Sequence, residues 1–246
     1  MAGGENLFAR NETMRVATAI TAITAILISS GAWAESRPTV IELYTAEGCS
    51  SCPPAEALLG DIADAASVIA LGLHVDYWDK DGWPDKYALQ AATRRQGEYE
   101  HALRHSFLVT PQFIIDGARA VDGTDRKAIT TAAHGTPEGI PLKLSIADAR
   151  LEVAIGADTK APPCDVLLFA YLPRATTAVA HGENAGRTLK EFNIVRAVMH
   201  LGDWHGHDQN LNVALAELPA DAAWAAVIVQ QAGSGPIVGS ARIALR

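Results

Sequence analysis

From residue 39 onward the apolar positions fall into strand-like runs separated by stretches of helical spacing. Thr39-Val-Ile-Glu-Leu-Tyr-Thr45 is rich in β-branched and aromatic residues and predicts a strand ended by Gly48. Ala55, Leu58, Leu59, Ile62, Ala63 and Ala66 then recur at helical spacing. Residues 67–75 form an almost unbroken apolar run, the pattern of a strand buried on both faces. A loop rich in Asp, Trp and Gly spans 76–86, and 87–104 predicts a helix with a weak stripe of Leu89, Ala92, Tyr99 and Leu103. Residues 111–115 and 119–121 predict a hairpin turned at Asp116-Gly117. Residues 124–134 predict a short helix with Thr124 as its N-cap. The order β-α-β-α-β-β-α is an α/β pattern.

The pattern changes after 135–141, a Gly- and Pro-containing linker. Short strand-like runs follow at 142–147, 150–155, 166–172, 176–180, 194–201, 211–215, 225–230 and 237–244, most of them separated by turn residues. Repeated short strands at close spacing predict an all-β, sandwich-like domain. The expected organisation is an α/β domain over 35–135 followed by a sandwich over 141–246.

The first 34 residues read differently. Arg10 and Arg15 precede an apolar run over 16–28, and the small residues of Ala32-Trp33-Ala34 follow. Basic start, short apolar core and small residues at the cleavage position predict a secretory signal peptide, and hence a periplasmic or secreted protein. The run is short for a membrane span, and no later segment offers one. The remaining composition is globular, with 49% hydrophobic and 20% charged residues. A formal net charge of −8 without a basic run argues against nucleic acid and anionic membranes as partners.

Export bears on the three cysteines, Cys49, Cys52 and Cys164. An oxidising compartment permits disulfides, but three thiols build no multi-bridge scaffold. Cys49-Ser-Ser-Cys52 follows a strand and opens a helix, where unpaired N–H groups stabilise a thiolate. Pro53 and Pro54 fit the first turn. Cys49 is expected at the exposed end, free to attack, with Cys52 more buried as the resolving thiol. Cys164 has no partner and is expected to be buried as a small apolar residue. A lone C-x-x-C supplies two metal ligands where a structural zinc wants four.

Strand, C-x-x-C helix, strand, helix and then Thr110-Pro111 before a hairpin resemble the thioredoxin superfamily. That resemblance implies a thioredoxin-like first domain. It also implies a cis-proline at Pro111 beside the cysteines, shaping with Thr110 the surface that meets clients. Glu42, a carboxylate in an apolar strand, resembles the buried acid that relays a proton to the resolving thiol; a salt-bridged Glu fits the sequence equally. A closer resemblance rests on Val40-Ile-Glu-Leu-Tyr-Thr45, Gly48-Cys-Ser-Ser-Cys-Pro-Pro54, His74-Val-Asp-Tyr-Trp78, Gly82-Trp83, Thr110-Pro111-Gln112 and Gly182-Glu-Asn-Ala-Gly186. These are similar to a secreted bacterial family of unknown function with a thioredoxin-like domain, number 1223 among such families. It implies fold and export but no activity.

His74, Tyr77, Trp78 and Trp83 lie at the carboxyl end of the second strand, the rim where open α/β sheets bind ligands. The same residues serve equally as a loop pinned by aromatics. His200, His205 and His207 with Asp203 and Asp208 are the densest His/Asp segment, yet no spacing rule makes them a metal site. The reading is therefore thiol–disulfide exchange with protein or small-thiol clients, without cofactor or resident metal. Two alternatives stand beside it: a binding protein whose disulfide is a staple, and a copper or zinc carrier using the same cysteines.

Overall fold

The computed structural model describes residues 35–105 and 107–246, together with Met1. Beyond Met1, the leader read over residues 1–34 lies outside them. In chain order the elements are β1 (Glu35–Ser36), β2 (Thr39–Thr45), α1 (Pro53–Ile62), β3 (Val68–His74), α2 (Gln90–Ala102), β4 (Gln112–Ile115), β5 (Arg119–Asp122) and α3 (Arg126–Ala133). There follow β6 (Glu138–Gly139), β7 (Leu142–Ala147), β8 (Arg150–Ile155), β9 (Cys164–Ala178), β10 (Thr188–Trp204), β11 (Gln209–Ala214), β12 (Trp224–Gln231) and β13 (Ile237–Ala244).

The elements of the first half follow the local pattern closely. β2 and β3 are parallel, buried along their whole length, and linked by α1. The β4–β5 hairpin turns through residues 116–118, where Asp116 and Gly117, with φ angles of 48° and 65°, are the left-handed pair of a tight turn closed by the Ala118 N–H on the Ile115 carbonyl. α3 starts one residue later than expected: Asp125, not Thr124, caps it by accepting the Ala128 N–H at 3.0 Å.

The second half overturns the expected fold class. It does not close into a sandwich beside a thioredoxin-like α/β domain. Its strands enter the sheet of the first half, giving one mixed sheet of eight strands in the order β13-β12-β9-β10-β3-β2-β4-β5. The protein is mostly β, with three α-helices among the described residues. The junction is β10 on β3, parallel at Ile194 and Gly72. Gly72 permits it, because a Cβ there would stand 2.8 Å from the Phe192 carbonyl. Asn193 completes the seam, donating from Nδ2 to the Ala70 carbonyl at 2.9 Å. A separate three-stranded sheet, β11-β8-β7, contributes Leu151, Val153, Ile155 and Val213 to an apolar cluster with β9 and β12.

β9 and β10 are longer than the runs that predicted them, 15 and 17 residues. The runs 166–172 and 176–180 are one strand despite Pro173. Past Tyr171, β9 has no partner on the β12 side, so the missing proline N–H costs no ladder bond there. The paired ends of β9 and β10 project to α1, where Phe192 packs against Gly60 and joins a cluster with Leu58, Leu59 and Ile62. The turn between them, 179–187, is thereby carried to the start of α1. The described residues from Glu35 onward lie within one compact unit. None of their helices is long and apolar enough to cross a membrane.

Candidate functional site

Cys49 and Cys52 are joined in a disulfide with a Cα–Cα distance of 5.4 Å. Cys52 is the N-cap of α1, and Pro53 and Pro54 open the helix. The loop is wound tightly: the Cys49 N–H donates to the Ala46 carbonyl and the Cys52 N–H to the Cys49 carbonyl. The second bond uses an N–H that the sequence reading left free for a Cys49 thiolate.

Cys49 is not at the exposed end. It is 0% exposed and Cys52 2%. The cover is the β9–β10 turn. Buried Asn184 donates from Nδ2 to the Glu47 carbonyl at 2.8 Å and the Cys49 carbonyl at 2.9 Å. Glu183 accepts the Ser50 N–H at 3.2 Å, and the Ser50 side chain first, then that N–H, hold its carboxyl below the usual range. Arg187 braces the turn by donating to Asn184 Oδ1.

The aromatic loop after β3 packs beside the cysteines. The Trp78 indole N–H donates to Thr110 Oγ1 at 2.8 Å, and its Cβ lies 3.4 Å from where a Gly48 Cβ would stand. Trp78 therefore connects the cysteine loop to Thr110-Pro111, whose peptide bond is cis. Tyr77 donates to Gln96 at 3.3 Å. Trp83 donates from Nε1 to Glu47 Oε2 at 2.6 Å. The exposed Phe107, Leu108 and Val109 precede Thr110.

Glu42 does not stand ready to relay a proton. Each of its oxygens already accepts two hydrogen bonds: Oε1 from Arg95 and Tyr99 at 2.9 and 2.7 Å, Oε2 from Arg95 and Tyr44 at 2.6 and 3.1 Å. Arg95 in turn lies against the rings of Tyr99 and Phe169 and donates to Gln230. This is a filled buried ion pair that ties β2 and α2 to β9 and β12.

The ionisable groups beside Cys52 are others. Cys52, Glu47, Glu56, His74 and Glu191 line one small cavity of about 10 Å³. His74 closes β3 and hydrogen-bonds Asp85 through Nδ1 at 2.7 Å, while its Nε2 faces Glu56 Oε1 at 3.8 Å. Burial alone would lower the His74 pKa, but Asp85, with Glu56 and Glu191 behind it, raises it to about 9. Burial pushes Glu56 to about 7 against the pull of His74. Glu191 is pushed to about 8, first by burial and then by the facing Glu47. Glu47 is 1% exposed and pinned by Trp83. Glu56 and Glu191 carried no signal, since each sits in an apolar element and only the fold brings them to the cysteines.

Cys164 is buried, as expected, its Sγ 3.2 Å from the Pro162 carbonyl. Burial, and behind it the Asp165 carboxylate, pushes its thiol to about 11. A thiol reagent should therefore find no reactive thiol in the native protein and one after denaturation. One equivalent of reagent consumed in the native state would contradict this. Of the His/Asp segment, His200 Nε2 approaches Asp165 and Asp203 at 3.5 and 3.1 Å on the surface. Among the described residues this is the one group of three or more such side chains with ligand atoms all within 4.8 Å of one another.

No curated protein matches the chain. The solved structure of protein AGR_C_4864 from Agrobacterium tumefaciens is similar, with 28% identity, a TM-score of 0.72, and coverage of 86% of this chain and 96% of that one. HBP35 of Porphyromonas gingivalis shares the fold at 13% identity and a TM-score of 0.57, covering 85% of this chain and 75% of that one. The family model described as "Protein of unknown function (DUF1223)" matches residues 40–230, and the chain belongs to that family.

Proposed function

We propose that the protein exchanges disulfides through Cys49 and Cys52 in an exported compartment, periplasmic or secreted. The observation that carries this reading is the Cys49–Cys52 bond at the start of α1, with Trp78 packed on the cysteine loop at Gly48 and hydrogen-bonded to Thr110. From the oxidised state a client thiolate attacks the Cys49 sulfur. The Cys49–Cys52 bond breaks, a mixed disulfide forms, and Cys52 leaves as a thiolate that takes up a proton. A second client thiolate attacks the client sulfur of the mixed disulfide and releases Cys49. The client ends with a disulfide, and the protein holds both electrons as a dithiol. The reverse sequence reduces a client, and the potential of the pair against its partners sets the direction. Tyr77, Trp78, Trp83 and the exposed Phe107, Leu108 and Val109 form the surface offered to clients, with the Asn184 turn lifted, whereas His74 is buried and takes no part in it.

Cys52→Ser should accumulate mixed disulfides through Cys49 in the exported fraction, because the resolving thiol is gone. Cys49→Ser should accumulate none. Diagonal electrophoresis and mass mapping read this directly. If neither variant traps a client and the pair stays oxidised against a dithiol of low potential, exchange is refuted. The full burial of both sulfurs favours the second reading in that case: a staple that holds a binding surface.

A further inference from the structure

Breaking the Cys49–Cys52 bond puts a negative charge on a sulfur that has no way to spread it. Cys52 is 2% exposed. Its own N–H is committed to the Cys49 carbonyl. The cavity beside it is lined by Glu47, Glu56, His74 and Glu191, all more than nine-tenths buried. A buried anion is costly unless it is paired or neutralised. A thiolate beside three carboxyl groups is costlier still. A proton delivered to the Cys52 sulfur as the bond breaks removes that cost.

Glu56 is the carboxyl group placed to deliver it. Of the three that line the cavity, Glu47 is fixed through Oε2 by Trp83 at 2.6 Å and Glu191 through Oε2 by Thr177 at 2.9 Å. Glu56 has both oxygens without a hydrogen-bond partner. It stands one turn after Cys52, its N–H bonded to the Cys52 carbonyl at 3.0 Å, so the two side chains leave the same face of the helix start. The cavity they share, about 10 Å³, is the size of a single water. Across it, His74 Nε2 stands 3.8 Å from Glu56 Oε1. Asp85 holds the imidazole from behind, Oδ2 to Nδ1 at 2.7 Å. Burial works against the charge on His74, and Asp85 overrides it. The titratable groups around Glu56 are thus His74 from β3, Glu191 from β10, Glu47 from the loop after β2 and Asp85 from the loop before α2. α3 meets the far end of α1, where Arg126 pairs with Asp61.

We infer that Glu56 gives a proton to the Cys52 sulfur and takes it back, with His74 and Asp85 as the positioning residues behind it. This role rests on the exchange reading above and names the source of its proton. As a client thiolate attacks Cys49, the electron pair of the Cys49–Cys52 bond passes to the Cys52 sulfur. The Glu56 carboxyl proton moves to that sulfur, directly or over one water. Glu56 is left as a carboxylate facing the His74 imidazolium, so the charge ends on the oxygens that have a cation opposite them. The reverse step uses the same atoms. The Glu56 carboxylate takes the Cys52 thiol proton, the Cys52 sulfur attacks Cys49 in the mixed disulfide, and the client leaves as a thiolate that solvent protonates. Burial raises Glu56 to about 7 against the pull of His74, which gives it both forms near neutral pH, as a group that donates and accepts requires.

The test mixes the reduced full chain, in a Cys164→Ala background, with dithiobis(nitrobenzoate). Cys49 should release one thionitrobenzoate, and Cys52 should then attack the mixed disulfide and release a second in a unimolecular phase. In the parent the second phase should rise with pH through about 7, as Glu56 ionises, and then level off. Glu56→Gln should slow it about 100-fold at neutral pH and leave the first phase unchanged. Its rate should keep rising into the range where an ordinary thiol ionises. Glu56→Asp should restore part of the loss. His74→Gln removes the facing cation and should move the midpoint up by about one pH unit or more. A Glu56→Gln second phase with the parent's rate and pH profile overturns the role of Glu56 and leaves exchange standing. If Glu56→Gln does not fold, a His74→Gln midpoint that stays at the parent's value overturns it. A parent that never releases the second thionitrobenzoate removes the exchange reading and this role with it.

Discussion

Replacing Arg95 with methionine is expected to destabilise the protein by about 3–5 kcal/mol, the range for removing one partner of a buried ion pair. Glu42 is 0% exposed and Arg95 4%. The substitution leaves a carboxylate in the core with only two tyrosine hydroxyls as donors. It also frees Tyr99 and Gln230 from the guanidinium that they share. For a chain of this size the loss lowers Tm by about 6–20 °C. The double variant Glu42→Leu with Arg95→Met should recover most of it, because the cost is the unpaired charge rather than the lost attraction. Thermal unfolding of the two variants and the parent decides the matter. A loss below about 1 kcal/mol for Arg95→Met would mean that water reaches Glu42.

The network also shows why the separation into α/β and sandwich parts failed. Periods of 2 and 3.6 are local, so β2, α1, β3, α2 and the β4–β5 hairpin were legible from apolar spacing and the Asp116-Gly117 turn. The partner of a strand is not local. Nothing near Gly72 announces that a strand starting at Thr188 will lie beside it, and nothing near Gln230 announces Arg95. Pro173 reads as a break in isolation and is tolerated only because the neighbouring strand ends before it. The candidate site divides the same way. Cys49, Cys52, Trp78 and Thr110-Pro111 were legible because the motif and the rim of β3 are near one another in the pattern. Glu56 and Glu191 were not, as they come from a helix and a distant strand. Glu42 stood out for the right reason, a costly buried charge, and its compensation is structural. Asn184 was visible only as part of a Gly-flanked motif, with no hint that it covers the cysteines.

That cover yields the prediction with the largest kinetic effect. Exchange at a fully buried disulfide proceeds through an opened state, and its rate follows the population of that state when closing is fast. Asn184→Ala removes two buried hydrogen bonds that close the turn over Cys49. Each contributes about 0.5–1.5 kcal/mol net. Together they change the open fraction by roughly 5- to 150-fold, at 1.4 kcal/mol per factor of ten. Reduction of the Cys49–Cys52 bond by a small phosphine should accelerate by that factor, and the Ser50 amide should exchange its hydrogen faster in step. Global loosening is a separate route to the same acceleration, and Arg95→Met controls for it. If opening is local, Asn184→Ala outpaces Arg95→Met in reduction although it is the more stable of the two. If reduction instead ranks with Tm across both variants, the sulfurs are reached only by unfolding, and the turn is a fixed wall rather than a movable cover.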